Sequence, residues 1–266
     1  MLTTASFFDL SHFSHSSLFG QGPVWEALTG LKSYMDDQSY PDFLDCFPHD
    51  QPLPETLILC NGEILPARGL TLKLSDATKG KLTIHREGEL LNGASVLMAG
   101  AILSGDRIAI GCGVFIEAGA MVKSPAIIGD CTEIRQGAYL RGYCLVGKRC
   151  VVGHVTEVKH SIFLNDAKAG HFAYLGDSIL GNDVNLGAGT KLANLRFTGG
   201  EIPIRTPTGI MTTGLKKLGA IMADGVQTGC NSVTNPGTLL GKKTMLMPNT
   251  TAPSGYHPPN SLIKGR

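Results

Sequence analysis

Aliphatic residues recur at every sixth position from Ile110 onward: Ile110, Ile116, Val122, Ile128, Ile134, Leu140, Val146, Val152, Val158 and Leu164. Four residues after each stand Val114, Ala120, Ala126, Thr132, Ala138, Cys144, Cys150, Thr156, Ile162 and Lys168, all but the last small or β-branched. A period of six matches neither the 3.6 of a helix nor the alternation of an isolated strand. It fits a chain wound into coils, where each hexad supplies one short strand and a corner and neighbouring coils stack as parallel strands. The aliphatic residue points into the prism and the small one fits the tight interior beside it. In half the hexads the residue after the aliphatic is Gly111, Gly129, Gly147, Gly153 or Asn165, types suited to a corner with positive φ. The predicted fold class is an all-β solenoid, a parallel β-helix of hexapeptide repeats.

The register then changes. Leu180, Leu186 and Leu192 keep the spacing of six but are out of phase with Leu164, and their register returns at Met222, Thr228, Thr234, Leu240 and Leu246. The partners of this second run are Val226, Ser232, Thr238, Thr244 and Thr250. Two segments are therefore expected to leave the solenoid, one at 168–179 and a longer one at 195–220. Departures from a regular wall are where sites are usually built. Val96, Ile102 and Ile108 suggest one earlier coil in another register. The expected division is a solenoid over 94–252, an N-terminal segment over 1–93 and a C-terminal tail over 253–266.

The N-terminal segment reads as a small α+β cap. Pro23 precedes Val24, Trp25, Leu28, Leu31 and Tyr34, an amphipathic helical stripe behind a favoured proline position. Residues 38–54 read as loop. From Leu57 to Leu91 short apolar runs alternate with Asn-Gly and Lys-Gly turns, a β segment expected to cover the open end of the solenoid.

Composition narrows the function classes. The 34 glycines suit a tight corner every six residues, and a net charge of +1 gives no electrostatic case for nucleic acid or an anionic membrane. There is no run of 18 apolar residues, and Lys32 is the first basic residue, so neither a membrane span nor a signal peptide is expected and the cytoplasm is the expected location. The seven cysteines include Cys144 and Cys150 at inward positions, whereas Cys46, Cys60, Cys112, Cys131 and Cys230 lack C-x-x-C spacing, against a zinc knuckle or a disulfide framework. Gly20-Gln21-Gly22 reads as a turn and nothing resembles a P-loop. His154, His160 and His171 raise a zinc site, but with three hexads per coil a spacing of six puts His154 and His160 on different faces. No metal is expected.

One stretch stands out: Lys168-Ala169-Gly170-His171-Phe172-Ala173-Tyr174-Leu175-Gly176-Asp177, followed by Asn182 to Thr190. His171 suits a general base near neutral pH, Tyr174 and Asn185 can orient a polar substrate, and Arg135 and Lys159 are cations on outward corners. Arg135 and Lys159 are 24 residues apart and so on different faces of one subunit. Spacing alone does not separate this set from ordinary surface residues.

The region from about 95 to 250 resembles the acetyltransferase domain of the bifunctional bacterial enzyme that makes UDP-N-acetylglucosamine. It is still more similar to the C-terminal domain of the archaeal sugar-1-phosphate nucleotidylyltransferases. The strings that carry the resemblance are Arg135 to Leu140, Lys168 to Asp177, Asn182 to Thr190, Ala193 to Phe197 and Leu215 to Ala220. It implies a left-handed β-helix and a homotrimer with sites between prisms. It implies His171 as catalytic base, Tyr174, Asn185 and Asn194 on the acceptor sugar, and Arg135 and Lys159 on its phosphate. The reaction implied is acetyl transfer from acetyl-CoA to the amine of an amino-sugar 1-phosphate, in nucleotide-sugar biosynthesis. The acetyl-CoA contacts are not assigned. Two positions depart from the family: Gly200 replaces a substrate-contacting lysine, for which Lys216 or Lys217 could substitute, and Gly229 aligns with a serine of the acetyl-CoA wall. The N-terminal segment has neither the Gly-rich loop nor the length of a nucleotidylyltransferase domain, so that activity is expected from a separate partner. The rival readings are a non-catalytic sugar-nucleotide-binding or scaffold protein and a zinc-dependent hydratase on the same scaffold.

Overall fold

The structure is a computed structural model that describes residues 2–42, 48 and 50–265; Cys46 and part of the 38–54 loop lie outside them. Three sheets of parallel strands form a triangular prism of about nine turns. Face one carries Ser95–Leu97, Phe115–Ile116, Glu133–Ile134, Val151–His154, Lys168–His171, Asn185–Leu186, Gln227–Thr228, Met245–Leu246 and Leu262–Ile263. Face two runs from Ile102–Ser104 through Glu157–Lys159 and Tyr174–Gly176 to Thr251–Ala252. Face three runs from Ile108–Ile110 through Ser161–Phe163 to Gly255–His257. The aliphatic positions from Ile116 to Val158 all lie in the interior, with Ala120, Ala126, Ala138, Cys144 and Cys150 between them.

The tenth hexad departs from the sequence reading. Val146 pairs with Phe163 and Val152 with Ala169, so the coil that starts here has 17 residues where the preceding ones have 18. The slip of one residue comes between Val158 and Phe163. Phe163 and Ala169 therefore point inward, Leu164 packs outside, and the small interior positions are Ser161 and Ala167 rather than Ile162 and Lys168. A second shortened corner places Leu180 five residues after Leu175. Residues 168–179 are thus not an excursion: they form three regular strands on a wall whose corners are one residue tighter. The long excursion is real, and between Leu192 and Ala220 the chain leaves the wall and makes a hairpin, Ile204–Thr206 with Gly209–Met211. In the first coil Leu97 and Leu103 face inward, displacing Val96 and Ile102, while Ile108 takes a small-residue position. At the far end, Gly255–His257 and Leu262–Ile263 pair with the preceding coil, so the winding continues past 252.

Corner glycines also serve a different purpose from the one the sequence suggested. Positive φ falls later in most corners, for example at Gly113, Cys131 and Arg149, or at Gly137, Val155 and Phe172. Gly147 and Gly153 are required by the close approach of the next coil: a Cβ on Gly153 would lie 1.8 Å from the Gly170 carbonyl oxygen.

The N-terminal segment divides its work. The central side chains of face three point outward and are apolar, and Phe7, Phe13, Trp25, Leu28, Leu31 and Met35 cover them. The helix among these residues is Glu26–Asp36, close to the expected stripe. Residues 2–40 therefore lie along a side of the prism. The end is covered by the hairpin Leu57–Cys60 and Glu63–Pro66, which pairs antiparallel with Ser95–Leu97. A three-stranded sheet, Leu70–Lys73, Thr83–Arg86 and Glu89–Leu90, packs over Val96 and Phe115 on the first coils of face one.

Candidate functional site

His171 ends its strand at the edge between faces one and two, and its ring is exposed. Because that coil has 17 residues, its register partner is His154, and the two imidazoles stack with centroids 5.5 Å apart and planes 20° apart. The expectation that His154 and His160 do not converge holds, but the convergence of His154 with His171 was hidden by the slip. Next to the pair runs a strip without side chains. Gly153, Gly170, Gly187 and Gly229 each follow an inward residue and stack from coil to coil. Arg135 occupies the same place one coil before Gly153, about 10 Å from the level of His171 at roughly 4.8 Å per coil. Asn185 lies exposed on face one beside Lys168.

Val155 and Phe172 flank the histidines, 56% and 61% exposed, both with left-handed backbone at φ 50° and 52°. A β-branched or bulky residue rarely adopts that conformation. The same backbone recurs at other corners, as at Cys131 and Arg149, and so belongs to the solenoid.

The other candidates gather at the edge between faces two and three, around a residue the sequence reading did not single out. The Asp177 carboxylate is buried, accepting bonds from Lys159 Nζ at 3.1 Å, His160 Nδ1 at 3.0 Å and Asn194 Nδ2 at 2.5 Å. Burial alone would raise its pKa, but the bonds from His160, Asn194 and Lys159 outweigh that and hold it below the usual carboxylate range. Tyr174 reaches the group from face two, its hydroxyl donating to Asn194 Oδ1 at 3.4 Å. Burial, helped by the charges of Glu157 and Asp177, raises the Tyr174 pKa, so the hydroxyl keeps its proton at neutral pH. The buried His160 Nε2 has no hydrogen-bond partner among the described residues.

The predicted residues thus form two groups within one chain. His171 and Arg135 line one edge, while Lys159, Tyr174 and Asn194 form the other group around Asp177, across the width of a three-residue strand, about 10 Å. Both predicted cations are already paired, Lys159 with Asp177 and Arg135 with Glu133 at 2.7 Å. Among the described residues there is no cluster of three side chains able to hold a metal ion. No helix of the described residues is long and apolar enough to cross a membrane.

The two departures acquire physical reasons. Gly200 has φ 77°, where a lysine would be strained, and it stands in the exposed excursion along with Lys216 and Lys217. At Gly229 a Cβ would come within 2.4 Å of the Pro248 nitrogen, so no serine fits against the next coil.

Residues 122–251 match the family model described as the GMPPB C-terminal domain. The bifunctional sugar-1-phosphate nucleotidylyltransferase/acetyltransferase of Sulfurisphaera tokodaii is 38% identical over 88 residues, 33% of this chain and 22% of that protein. The bifunctional protein GlmU of Methanococcus vannielii is 35% identical over 89 residues, 34% of this chain and 21% of that one. The alignments thus span about a fifth of the length of these relatives. The resemblance read from the repeat and the K-A-G-H string therefore holds at the level of homology. A solved structure of perosamine N-acetyltransferase from Caulobacter crescentus, with CoA and GDP-perosamine, aligns at 16% identity and a TM-score of 0.24, covering 65% of this chain and 57% of that one. So loose a superposition carries no argument.

Proposed function

We propose that this chain is an acyltransferase that moves the acetyl group of acetyl-CoA to the amine of an amino-sugar 1-phosphate. The observation that carries the reading is His171: an exposed imidazole in the K-A-G-H string, stacked on His154 beside a glycine strip at an open edge. Acetyl-CoA would supply the activated acyl group, and the strip Gly153, Gly170, Gly187 and Gly229 beside His171 carries no side chains of its own. His171 accepts the proton of the amine as its nitrogen attacks the thioester carbonyl. The C–N bond forms, the C–S bond breaks, and the sulfur leaves as the thiol once it regains a proton. Arg135 and Lys159 hold the phosphate through charge-assisted bonds, while Tyr174, Asn185 and Asn194 orient the sugar. Since these residues occupy two edges, we propose a homotrimer in which the edge of one prism faces that of the next. Cytoplasmic location and a division near residue 93 belong to the same proposal.

The test is release of free thiol from acetyl-CoA in the presence of glucosamine 1-phosphate or galactosamine 1-phosphate. Turnover by the wild type and none by His171→Ala supports the reading. No turnover by a folded wild type turns the assignment to a non-catalytic sugar-nucleotide-binding or scaffold protein, which Gly200 and the pairing of Lys159 with Asp177 favour.

A further inference from the structure

The described residues of the N-terminal segment touch the candidate site at one polar point. Glu133 lies on the outer side of face one, only 5% exposed, and a carboxylate so buried must be bonded or neutralised. Its Oε1 accepts the backbone N–H of Ala77 at 2.8 Å, and its Oε2 accepts Arg135 Nε at 2.8 Å and Nη2 at 2.7 Å. Ala77 opens the short turn Ala77–Lys79, and the first N–H groups of such a turn have no partner within it. Glu133 supplies that partner from 56 residues away. The turn itself is held by Asp76, which bonds Thr78 and Lys79; those bonds lower the Asp76 pKa to about 2.

We infer that Glu133, clamped by the Ala77 turn, is a positioning residue that aims Arg135 at the anionic group of the acceptor. The inference rests on the acceptor reading above. With Nε and Nη2 committed to one carboxylate oxygen, the planar guanidinium has a fixed orientation and leaves Nη1 for a ligand oxygen. Arg135 stands at the head of the glycine strip, so a phosphate there would lie along the same edge as His171. The N-terminal segment thereby becomes part of the site without supplying a side chain that touches the substrate. A surface arginine would search many rotamers before binding, whereas this one is already ordered.

The clamp is tested first without ligand, by exchange of the Arg135 Nε proton in ¹⁵N-labelled protein. Slow exchange in the wild type that quickens in Glu133→Gln and in Ala77→Pro, which removes the backbone donor and sets a ring carbon against the carboxylate, is expected. Exchange unaltered by Ala77→Pro overturns the clamp. Binding of glucosamine 1-phosphate and of glucosamine is then measured by calorimetry. Glu133→Ala should weaken the phosphorylated ligand roughly tenfold, the size of one charge-assisted contact, and leave glucosamine unchanged. Because Glu133 acts through Arg135, the double variant with Arg135→Ala should bind no more weakly than Arg135→Ala alone. Tighter phosphate binding by Glu133→Ala would show a merely repulsive charge and overturn the positioning role. A wild type that does not prefer the phosphorylated sugar, with the exchange result intact, would refute the acceptor reading and with it the aim of Arg135.

Discussion

Gly153→Ala inserts one methyl group beneath the histidine pair, and its cost can be worked from the coil spacing. The new Cβ would lie 1.8 Å from the Gly170 oxygen, against 3.4 Å for ordinary contact, so the coils must part by about 1.6 Å (3.4 − 1.8). That is about a third of the spacing between coils. The neighbouring backbone cannot give freely: Arg135 N bonds the Val152 carbonyl and Phe172 N bonds that of His154. Overpacking of this kind costs about 1–3 kcal/mol, which for a chain of this size lowers Tm by roughly 2–12 °C. Gly170→Ala is the matched control, one coil away in the same strip, where an added Cβ meets nothing within 4 Å. It should melt with the wild type, or slightly above it because the unfolded chain loses freedom. Thermal unfolding of the three proteins by circular dichroism decides the matter. Gly153→Ala melting together with Gly170→Ala would refute the claim that the glycine is required by coil approach.

Other outcomes follow from the same geometry. For the proposed acetyl transfer, His154→Phe should keep a ring over His171 and retain most of kcat, whereas His154→Ala should lower kcat severalfold with little change in KM for acetyl-CoA; steady-state kinetics checks both. The Asp177 carboxyl has a lowered pKa in the folded state, so its contribution to stability is present above about pH 4 and is lost as pH falls through the folded value. Urea unfolding between pH 3 and 6 should accordingly show a shallower acid dependence for Asp177→Asn than for wild type. Burial pushes the Cys144 and Cys150 thiols up to about 12, so thiol reagents should modify exposed Cys112 and Cys230 in the native protein and reach those two only on unfolding. Replacing Val155 by Gly removes a strained residue at φ 50°. It should leave stability equal or higher by about 1 kcal/mol, read from the urea midpoint.

Much of the wall was legible because a repeat is redundant. Each inward position from Ile116 to Val158 repeats the same local choice, so the pattern survives without knowledge of neighbours. The slip before Phe163 was not legible, since Ile162, Phe163 and Leu164 are all apolar and any of them could face the core. What settles the register there is the pairing of Val146 with Phe163. The misplaced register is also why 168–179 read as an excursion, and why the stack of His154 on His171 went unseen. Asp177 was within the quoted string but gave no sign of its role, because a carboxylate reads alike whether it is solvated or shared by three donors.

The chain's own sequence determined the solenoid, its corners rich in glycine and the excursion after Leu192, since period and motif are properties of residues close in sequence. Tertiary structure decided which side chains meet. Coil length, 17 or 18 residues, sets every contact between one turn and the next, and one residue fewer at a corner moved His171 onto His154. It likewise decided that the apolar N-terminal residues lie along face three, and that the Ala77 amide reaches Glu133. Those contacts join positions tens of residues apart, and no local pattern encodes a distance between segments that only packing brings together.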